Sequence, residues 1–322
     1  MATKDFIVAT FNLENLDNTE SLWPKRKEVL QPMLERMNAD VLFLQEVNKL
    51  SALDDLVRGT RYESYHRAHS TKPDGSPYLK RNLVTLSRYQ IREKKQYHHD
   101  LVPKPTWRAA TAEPPEESRE VEWERPILHC EIPLRADRIL HAINVHLKSK
   151  NPSEIKGQTD EKRWYLWRSH EGWAEGYFLS SVKRVGQALE MRRLLERIFS
   201  QDRRALIAVG GDFNSDVGDV PLKAVIGSVS DTNNPELRDR VMVPCEYNVP
   251  PDQRYSLIHH GKGEMLDHVI VSQAFYPYWA ETAVFNELLP DKSIAFATEE
   301  KFPESDHAPV VARFHAPEDF LP

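Results

Sequence analysis

The stretch VGGDFNS at residues 209–215 is the most informative part of this chain of 322 residues. The apolar residues 205–209 predict a buried strand, and the two glycines after it predict a sharp turn with room for a ligand. Asp212 and Asn214 then share one face of an extended chain, because side chains two residues apart point the same way. A carboxylate and an amide there suit a site that holds a water and a phosphoryl oxygen, although both residues also favour ordinary turns.

Composition places the chain among ordinary globular proteins. It is 40% hydrophobic and 29% charged, and its net charge of -6 argues mildly against coating nucleic acid while leaving room for a local basic groove. The apolar runs are shorter than a membrane span, so we expect no stable membrane insertion. The start of the chain lacks a secretion-signal pattern, which predicts a cytoplasmic protein or a secreted form already processed. Two isolated cysteines predict neither a disulfide framework nor a zinc or redox site.

Apolar patterns predict strands that alternate with helices. The predicted strands span residues 6–11, 41–45, 83–87, 127–132, 139–145, 205–209, 265–271 and 310–314, and the predicted helices span residues 23–37, 50–57 and 180–199. Hairpins among these elements indicate mixed β-sheets with helices outside, which is an α/β architecture. Both halves carry equally apolar strands, so we expect one domain over residues 1–322.

Two segments read as insertions into that domain. Residues 104–125 are rich in proline and glutamate, which predicts a long exposed loop. Residues 149–177 carry aromatic side chains among lysines and arginines: Trp164, Tyr165, Trp167, Trp173 and Tyr177. Interleaved aromatics and cations suit a surface that stacks on bases, whereas aromatics that pack the insertion onto the domain would have the same composition.

Polar residues recur where predicted strands begin or end. They are Asn12, Glu46, His146, Asp212, Asn214, Asp267, Asp306 and His307. Each alone could be a solvated charge, a buried histidine or a local cap. Together they form one set of carboxylate, amide and imidazole groups, which favours a common site.

This set resembles the endonuclease/exonuclease/phosphatase superfamily, whose fold is that of DNase I. The matching motifs are Gln45-Glu46, Gly211-Asp212-Phe213-Asn214 and Ser305-Asp306-His307, and the likeness runs from Asn12 to His307. The resemblance implies a four-layer α/β sandwich in which two packed mixed β-sheets are flanked by helices. The runs at residues 146–150 and 184–188 look most like bacterial nuclease-type members.

The resemblance also implies a metal site. A phosphodiester resists attack by water, and a metal ion offsets negative charge on its phosphoryl oxygens. Oxygen ligands suit Mg²⁺ or Mn²⁺. The implied ligands are Asn12, Glu46 and Asp306. Glu14 would either support the metal or simply be exposed.

The remaining residues would act on the water and the phosphate. The resemblance implies that Asp212 orients or deprotonates the attacking water and that Asn214 holds water or phosphate. Asp267 would fix the tautomer of His307, and His146 would be a phosphate contact or a general acid. The further substrate-binding candidates are Arg125 and Lys148. Whether Asp212 or a histidine is the general base stays open.

These observations predict a metal-dependent hydrolase of phosphoester bonds. Nucleic acid is the expected substrate, with endonuclease and exonuclease action both open, and the chain is expected to be a monomer. The alternative is a phosphatase or phosphodiesterase of a small molecule or lipid head group, such as a phosphoinositide, sphingomyelin or a nucleotide. A binding module without catalysis is the third class, which the full acidic and histidine set disfavours.

Overall fold

A computed structural model describes residues 3–135, 137–163, 165–294, 301–317 and 320. Its α-helices are α1 (Trp23–Met37), α2 (Leu50–Val57), α3 (His170–Gln201), α4 (Val220–Ile226) and α5 (Val229–Thr232). Its strands are β1 (Thr3–Leu16), β2 (Val41–Val47), β3 (His66–His69), β4 (Asn82–Ser87), β5 (Glu93–Tyr97), β6 (Thr106–Trp107), β7 (Arg119–Glu120), β8 (Ile127–Pro133), β9 (Ile139–His146), β10 (Leu206–Asp212), β11 (Met242–Pro244), β12 (Leu257–His259), β13 (Lys262–Glu264), β14 (Asp267–Ser272), β15 (Trp279–Val284) and β16 (Val310–Pro317). Short 3₁₀ helices lie at Arg61–Ser64, Pro235–Arg240, Cys245–Asn248 and Tyr276–Tyr278.

Two six-stranded sheets organise these elements. The first has the order β15-β16-β1-β2-β4-β3, and the second has the order β11-β14-β10-β9-β8-β5. The central strands β1 and β2 are parallel, as are β9 and β10, while their outer neighbours run antiparallel. Both sheets are therefore mixed.

Three hydrophobic clusters define the layers. One fills the space between the sheets, with residues such as Phe6, Phe43 and Val269. A second joins the other face of the first sheet to α1 and α2, and a third joins the second sheet to α3 and α4. The predicted architecture of two packed mixed sheets flanked by helices is confirmed.

The layer between the sheets changes from apolar to polar along its central strands. On β1 the inward residues run from Phe6 and Val8 to Thr10 and Asn12, with alternation that follows the two-residue period of a strand. On β9 and β10 the same change leads to His146 and Asp212. Because β1, β2, β9 and β10 end at the same edge, their last inward side chains meet there.

The two glycines of the opening stretch do not form the predicted sharp turn. The strand β10 continues through Gly210 and Gly211 to Asp212, so the backbone does not turn at them. A Cβ at Gly210 would lie 2.2 Å from Cδ2 of Phe43 on the facing sheet. Gly211 has a φ of 156°, and a Cβ there would lie 2.0 Å from the carbonyl oxygen of Val145. Glycine therefore permits close packing around β10 rather than a bend.

Residues 104–125 also differ from the predicted exposed loop. They contain the short pair β6 and β7, and the side chain of Trp123 is buried. A small cluster of Ala109, Ala112, Val121, Ile155 and Leu179 packs these residues against residues 149–180. The two predicted insertions thus contact each other beside the first turns of α3. Among the described residues, the helices are all too short or too polar to cross a membrane.

Candidate active site

The strands β1, β2, β9 and β10 end at one edge, whose polar side chains we call the polar edge. Asp212 lies at its centre. Its Oδ2 accepts hydrogen bonds from Asn12 Nδ2 at 3.1 Å and from Asn214 Nδ2 at 3.0 Å, and its Oδ1 accepts one from the backbone of Asn214 at 2.8 Å. Asn214 has a φ of 49°, so it curls back onto Asp212 rather than continuing the strand. Burial opposes ionisation of Asp212, but the charge of His307 and the hydrogen bond from His146 hold its pKa well below the usual range. Asp212 is therefore a fixed carboxylate.

His307 is hydrogen-bonded to a second buried carboxylate, that of Asp267. Its Nδ1 lies 2.6 Å from Oδ2 of Asp267, and its Nε2 lies 3.9 Å from Oδ2 of Asp212. Burial alone would lower the pKa of His307, but Asp267, Asp306 and Asp212 together raise it to about 10. Ser256 completes the pair, because its hydroxyl donates to Asp267 and accepts the backbone N–H groups of residues 266 and 267. The imidazole is thus charged at neutral pH and points its Nε2 at Asp212.

His146 has the opposite character. Its Nε2 lies 3.3 Å from Oδ2 of Asp212 and 3.7 Å from Oε1 of Glu46. Burial and the nearby Arg125 guanidinium lower its pKa, so this imidazole is neutral at physiological pH. Its Nδ1 is buried without a hydrogen-bond partner in the described structure. One edge therefore holds a charged and a neutral histidine on either side of Asp212.

The carboxylates of Glu14, Glu46 and Asp306 lie near one another where β1 and β2 end. The backbone of Asn15 donates to Oε2 of Glu46 at 3.1 Å, and the backbone of Asp306 donates to Oε2 of Glu14 at 3.0 Å. Glu14 and Glu46 have positive φ angles of 43° and 56°, so strained backbone sets the direction of both side chains. Burial and repulsion from Asp306 raise the pKa of Glu14 to about 7. Negative charge is therefore in excess here.

This excess fits a divalent cation. The donors of Glu46, Asp306 and Asn12 are oxygens, which Mg²⁺ and Mn²⁺ prefer. Asp306 already pairs with the ammonium group of Lys292, which shows how strongly the carboxylates attract a positive charge. Ligand atoms of Asp212, Asp267 and His307 also lie within 4.8 Å of one another. However, the Asp267–His307 hydrogen bond occupies two of those atoms, so the glutamate side of the edge is the better cation site.

A series of buried hydrogen bonds between polar side chains lies behind the polar edge, between the two sheets. Thr10 donates to Oε1 of Gln45 at 3.2 Å, and Gln45 donates to Oδ1 of Asn144 at 2.8 Å across the two sheets. The amide of Asn144 in turn donates to the carbonyls of Leu44 and Val84. A chain of buried hydrogen bonds of this kind fixes the relative position of the sheets just behind the polar edge.

The structure brings together Asn12, Glu46, His146, Asp212, Asn214, Asp267, Asp306 and His307 from the sequence-derived set. Arg125 lies beneath them, and its guanidinium donates to the carbonyls of His146 and Leu147 at 2.9 and 2.8 Å. The amine of Lys148 donates to Ser149 and to the carbonyl of Asn151 within its own loop. Contact of Arg125 and Lys148 with substrate stays a prediction.

Sequence reasoning missed three supporting residues. Ser256 orders Asp267, Lys292 pairs with Asp306, and Gln187 accepts from the Lys148 backbone while donating to the Arg125 carbonyl. Ser256 lies in a loop and Lys292 in a short helical segment, and no local sequence pattern marks either residue. Gln187 lies within the run at residues 184–188 that matched nuclease-type members, so that motif contained a usable signal.

Comparison with known proteins agrees with this geometry. A family model described as the endonuclease/exonuclease/phosphatase family matches residues 9–307. No curated protein sequence matches the chain.

Similar solved structures extend over almost the whole chain. TDP2 from Caenorhabditis elegans, solved as a truncated form, has a TM-score of 0.57 at 16% identity, with 97% of this chain and 98% of that chain covered. An endonuclease/exonuclease/phosphatase family protein from Bacteroides thetaiotaomicron has a TM-score of 0.59 at 15% identity, with 99% and 98% covered. A mannosyl-6-phosphatase from the same species has a TM-score of 0.57 at 16% identity, with 95% and 98% covered. At such low identity these structures show the fold.

The family model covers nearly all of the chain and includes the residues of the polar edge. Members of this family are phosphoesterase hydrolases and generally depend on divalent metal ions. The sheet order, the shared edge and the family match lead to one conclusion: the chain belongs to the endonuclease/exonuclease/phosphatase family.

Proposed function

We propose that this phosphoesterase is a divalent-metal-dependent phosphodiesterase that cleaves nucleic acid. The observation that carries the substrate choice is a set of exposed aromatic side chains on α3, a helix that contacts the segment after β9. Trp173, Tyr177 and Phe178 on α3 are 45%, 41% and 46% exposed. Aromatic faces of this kind stack on bases without regard to sequence.

This aromatic face, Trp173, Tyr177 and Phe178, lies on the turns of α3 that precede its contacts with the segment after His146. His146 belongs to the polar edge, which we propose as the catalytic edge. Residues 147–151 follow the end of β9, and residues 152–169 separate them from the start of α3. Arg184 donates to the carbonyls of Lys148 and Ser149, and Ser180 donates to the carbonyl of Asn151. These bonds hold the part of α3 around residues 180–184 against the segment that follows His146.

Not all the aromatics of the segment support stacking. Trp167 packs against the small cluster around Ile155 and Leu179, which agrees with the packing alternative. Trp164 lies outside the described residues. We therefore place the stacking function on the aromatic face of α3.

The roles that we propose follow from the charge states. Asp212 would orient the attacking water, because its depressed pKa makes it a weak base, and Asn214 would hold Asp212 or a phosphoryl oxygen. His307 would stabilise negative charge or give a proton, since the pKa of about 10 keeps its imidazole charged. Bound Mg²⁺ or Mn²⁺ would offset charge on the phosphoryl oxygens, held by Glu46, Asp306 and Asn12.

The test compares large and small substrates. Wild-type protein with Mg²⁺ or Mn²⁺ would be assayed on single- and double-stranded DNA, on RNA and on bis-p-nitrophenyl phosphate. The double variant W173A/Y177A should bind nucleic acid about ten-fold or more weakly, from roughly 1–3 kcal/mol of stacking per base, while its hydrolysis of the small diester is unchanged. Tyr276→Ala, which removes a 37%-exposed aromatic beyond the other end of β14, is the matched control.

Two outcomes would overturn the nucleic-acid proposal. One is equal nucleic-acid binding by wild type and the double variant. The other is nucleic-acid binding that does not fall steeply with salt, since release of counterions drives such binding.

A second candidate is hydrolysis of a small phosphoester. It is favoured by the net charge of -6 and by the similarity in fold to a mannosyl-6-phosphatase. Efficient release of phosphate from sugar phosphates, inositol phosphates or nucleotides, without cleavage of DNA or RNA, would support this candidate instead.

A further inference from the structure

A second cluster of metal-ligating side chains lies on the outer face of β8 and β9. His129 and Glu131 are two residues apart on β8, so they share a face, and Glu131 lies directly opposite His141 on β9. Their neighbours Leu128, Cys130 and Ala142 point the other way, into the core between the sheets. The strand register alone therefore brings two imidazoles and one carboxylate together.

The distances within this cluster suit a single ion. Nε2 of His129 lies 2.9 Å from Nδ1 of His141, and one ligand atom from each of the three side chains lies within 4.8 Å of the others. His129 is only 5% exposed, and its Nδ1 is buried with no partner in the described structure. Two ring nitrogens that face each other need one shared proton or one shared cation between them.

The charges around the cluster are mixed. Arg92 pairs with Glu131 at 2.6 Å, but the Arg92 side chain is 54% exposed and can move aside. Lys95 is the cross-strand neighbour of His129, and Asp202 at the end of α3 acts electrostatically on His141.

We propose that His129, Glu131 and His141 bind a transition-metal ion such as Zn²⁺, with a fourth position open to solvent. Two imidazoles and one carboxylate form a donor set that suits Zn²⁺ better than Mg²⁺. The open side faces a groove of about 570 Å³ lined by Arg92, Asp202 and residues at the start of β9.

This site is separate from the catalytic edge. His141 precedes His146 by five positions on β9, which is about 16 Å along a strand. An ion there would cross-link β8 to β9 and stabilise the hairpin.

The test measures metal binding by the full-length chain. Protein stripped with a chelator would be dialysed against Co²⁺ or Zn²⁺ with excess Mg²⁺, which competes for the oxygen-rich catalytic edge. Bound metal would be counted by elemental analysis, and the Co²⁺ coordination would be followed by visible absorption. His141→Gln should bind about one ion fewer per chain than wild type and lose the intense Co²⁺ bands. Glu131→Gln should bind the ion at least about 10- to 100-fold more weakly, because loss of even an outer partner of a metal ligand costs that much.

The matched control is His315→Gln, which removes a histidine from β16 in the other sheet. It should match wild type in stoichiometry and spectrum. Circular dichroism and the Tm in chelator would verify that each variant folds, and Zn²⁺ should raise the Tm of wild type more than that of His141→Gln. Equal ion counts, spectra and Tm shifts in wild type and His141→Gln would overturn the proposal. Loss of the transition-metal ion only in Asp212→Asn would also overturn it, because the ion would then lie at the catalytic edge.

Discussion

At the scale of single residues, the same side chain takes different states on the two sides of Asp212. His307 faces three carboxylates, which raise its pKa to about 10, whereas burial and Arg125 lower the pKa of His146. Environment rather than residue type therefore makes one imidazole charged and leaves the other neutral.

Glu14 provides a test of the excess negative charge. A carboxyl group whose pKa rises on folding, here from 4.5 to about 7, costs stability that grows above pH 4.5 and is complete above pH 7. In chelator at pH 8, Glu14→Gln should therefore raise the free energy of unfolding by about 1–3 kcal/mol. The gain should vanish near pH 4 and shrink when Mg²⁺ is added. Urea unfolding at pH 8, at pH 4 and with added Mg²⁺ measures these three effects. A variant less stable than wild type at pH 8 would contradict the excess of negative charge at Glu14.

Ser256 provides a test of positioning. Ser256→Ala removes the hydroxyl that bonds Asp267 and leaves two backbone N–H groups unpaired, so it should cost roughly 1–3 kcal/mol of stability. If Ser256 also orders the Asp267–His307 pair, kcat should fall and its pH profile should shift, with KM little changed. Ser256→Thr should restore both, and the exposed Ser230→Ala is the control. If the pH profile of kcat is unchanged in Ser256→Ala, Ser256 has only a structural role.

The sequence was informative about single residues wherever a motif surrounded them. Asp212, His307 and Glu46 occur in such motifs, so they could be predicted to share a site. Ser256 and Lys292 could not be predicted in this way, because their partners lie 11 and 14 positions away and no local sequence pattern marks such contacts. The contacts of the Lys148 amine depend on its loop, which the sequence does not determine.

At the scale of elements, apolar periodicity predicted position well where one face is buried. The helices α1 and α2 have the predicted bounds. The helix α3 was predicted from residue 180 but begins at His170, because its first turns carry glycines and exposed aromatics instead of an apolar stripe. The edge strands β3, β5 and β15 were missed, since their residues are largely polar or partly exposed.

The packing of β10 gives a prediction at this scale. Gly210→Ala would drive a Cβ to 2.2 Å from the Phe43 ring on the facing sheet, so it should destabilise the protein by about 1–3 kcal/mol. Phe43→Leu in the same chain should recover part of the loss, because the two residues contact each other. Gly218→Ala, where a Cβ meets nothing within 4 Å, should be nearly neutral. Thermal or urea unfolding measures the change in the free energy of unfolding for each variant. If the changes for Gly210→Ala and Phe43→Leu simply add in the double variant, the proposed contact is contradicted.

At the scale of the whole molecule, two sheets meet so that the last inward residues of their strands form one edge. Neither sheet holds the site alone, since Asn12 and Glu46 come from the first and His146 and Asp212 from the second. The sequence predicted the layers through apolar alternation and family resemblance. It could not predict which atoms bond across the sheets, because that depends on their relative position.

Stability should therefore depend on pH through this edge. A histidine whose pKa rises on folding adds stability that is fully present below about pH 6.5 and is lost as pH rises through about 10. In chelator, the Tm of wild type should fall between pH 7 and pH 10 more than the Tm of His307→Gln. The exposed variant His66→Gln should follow wild type. Parallel curves for wild type and His307→Gln would show that the imidazole is not stabilised in its charged form.

The most direct test of the central claim is the rate of phosphodiester hydrolysis by wild type and Asp212→Asn, with and without Mg²⁺ or Mn²⁺. Wild type should show metal-dependent hydrolysis that chelator abolishes, and kcat should fall by roughly 10²- to 10⁴-fold for Asp212→Asn. Circular dichroism and substrate binding should stay near wild type, because asparagine keeps the shape of the side chain. Undiminished hydrolysis by a folded Asp212→Asn protein, or hydrolysis that survives chelation, would contradict the account.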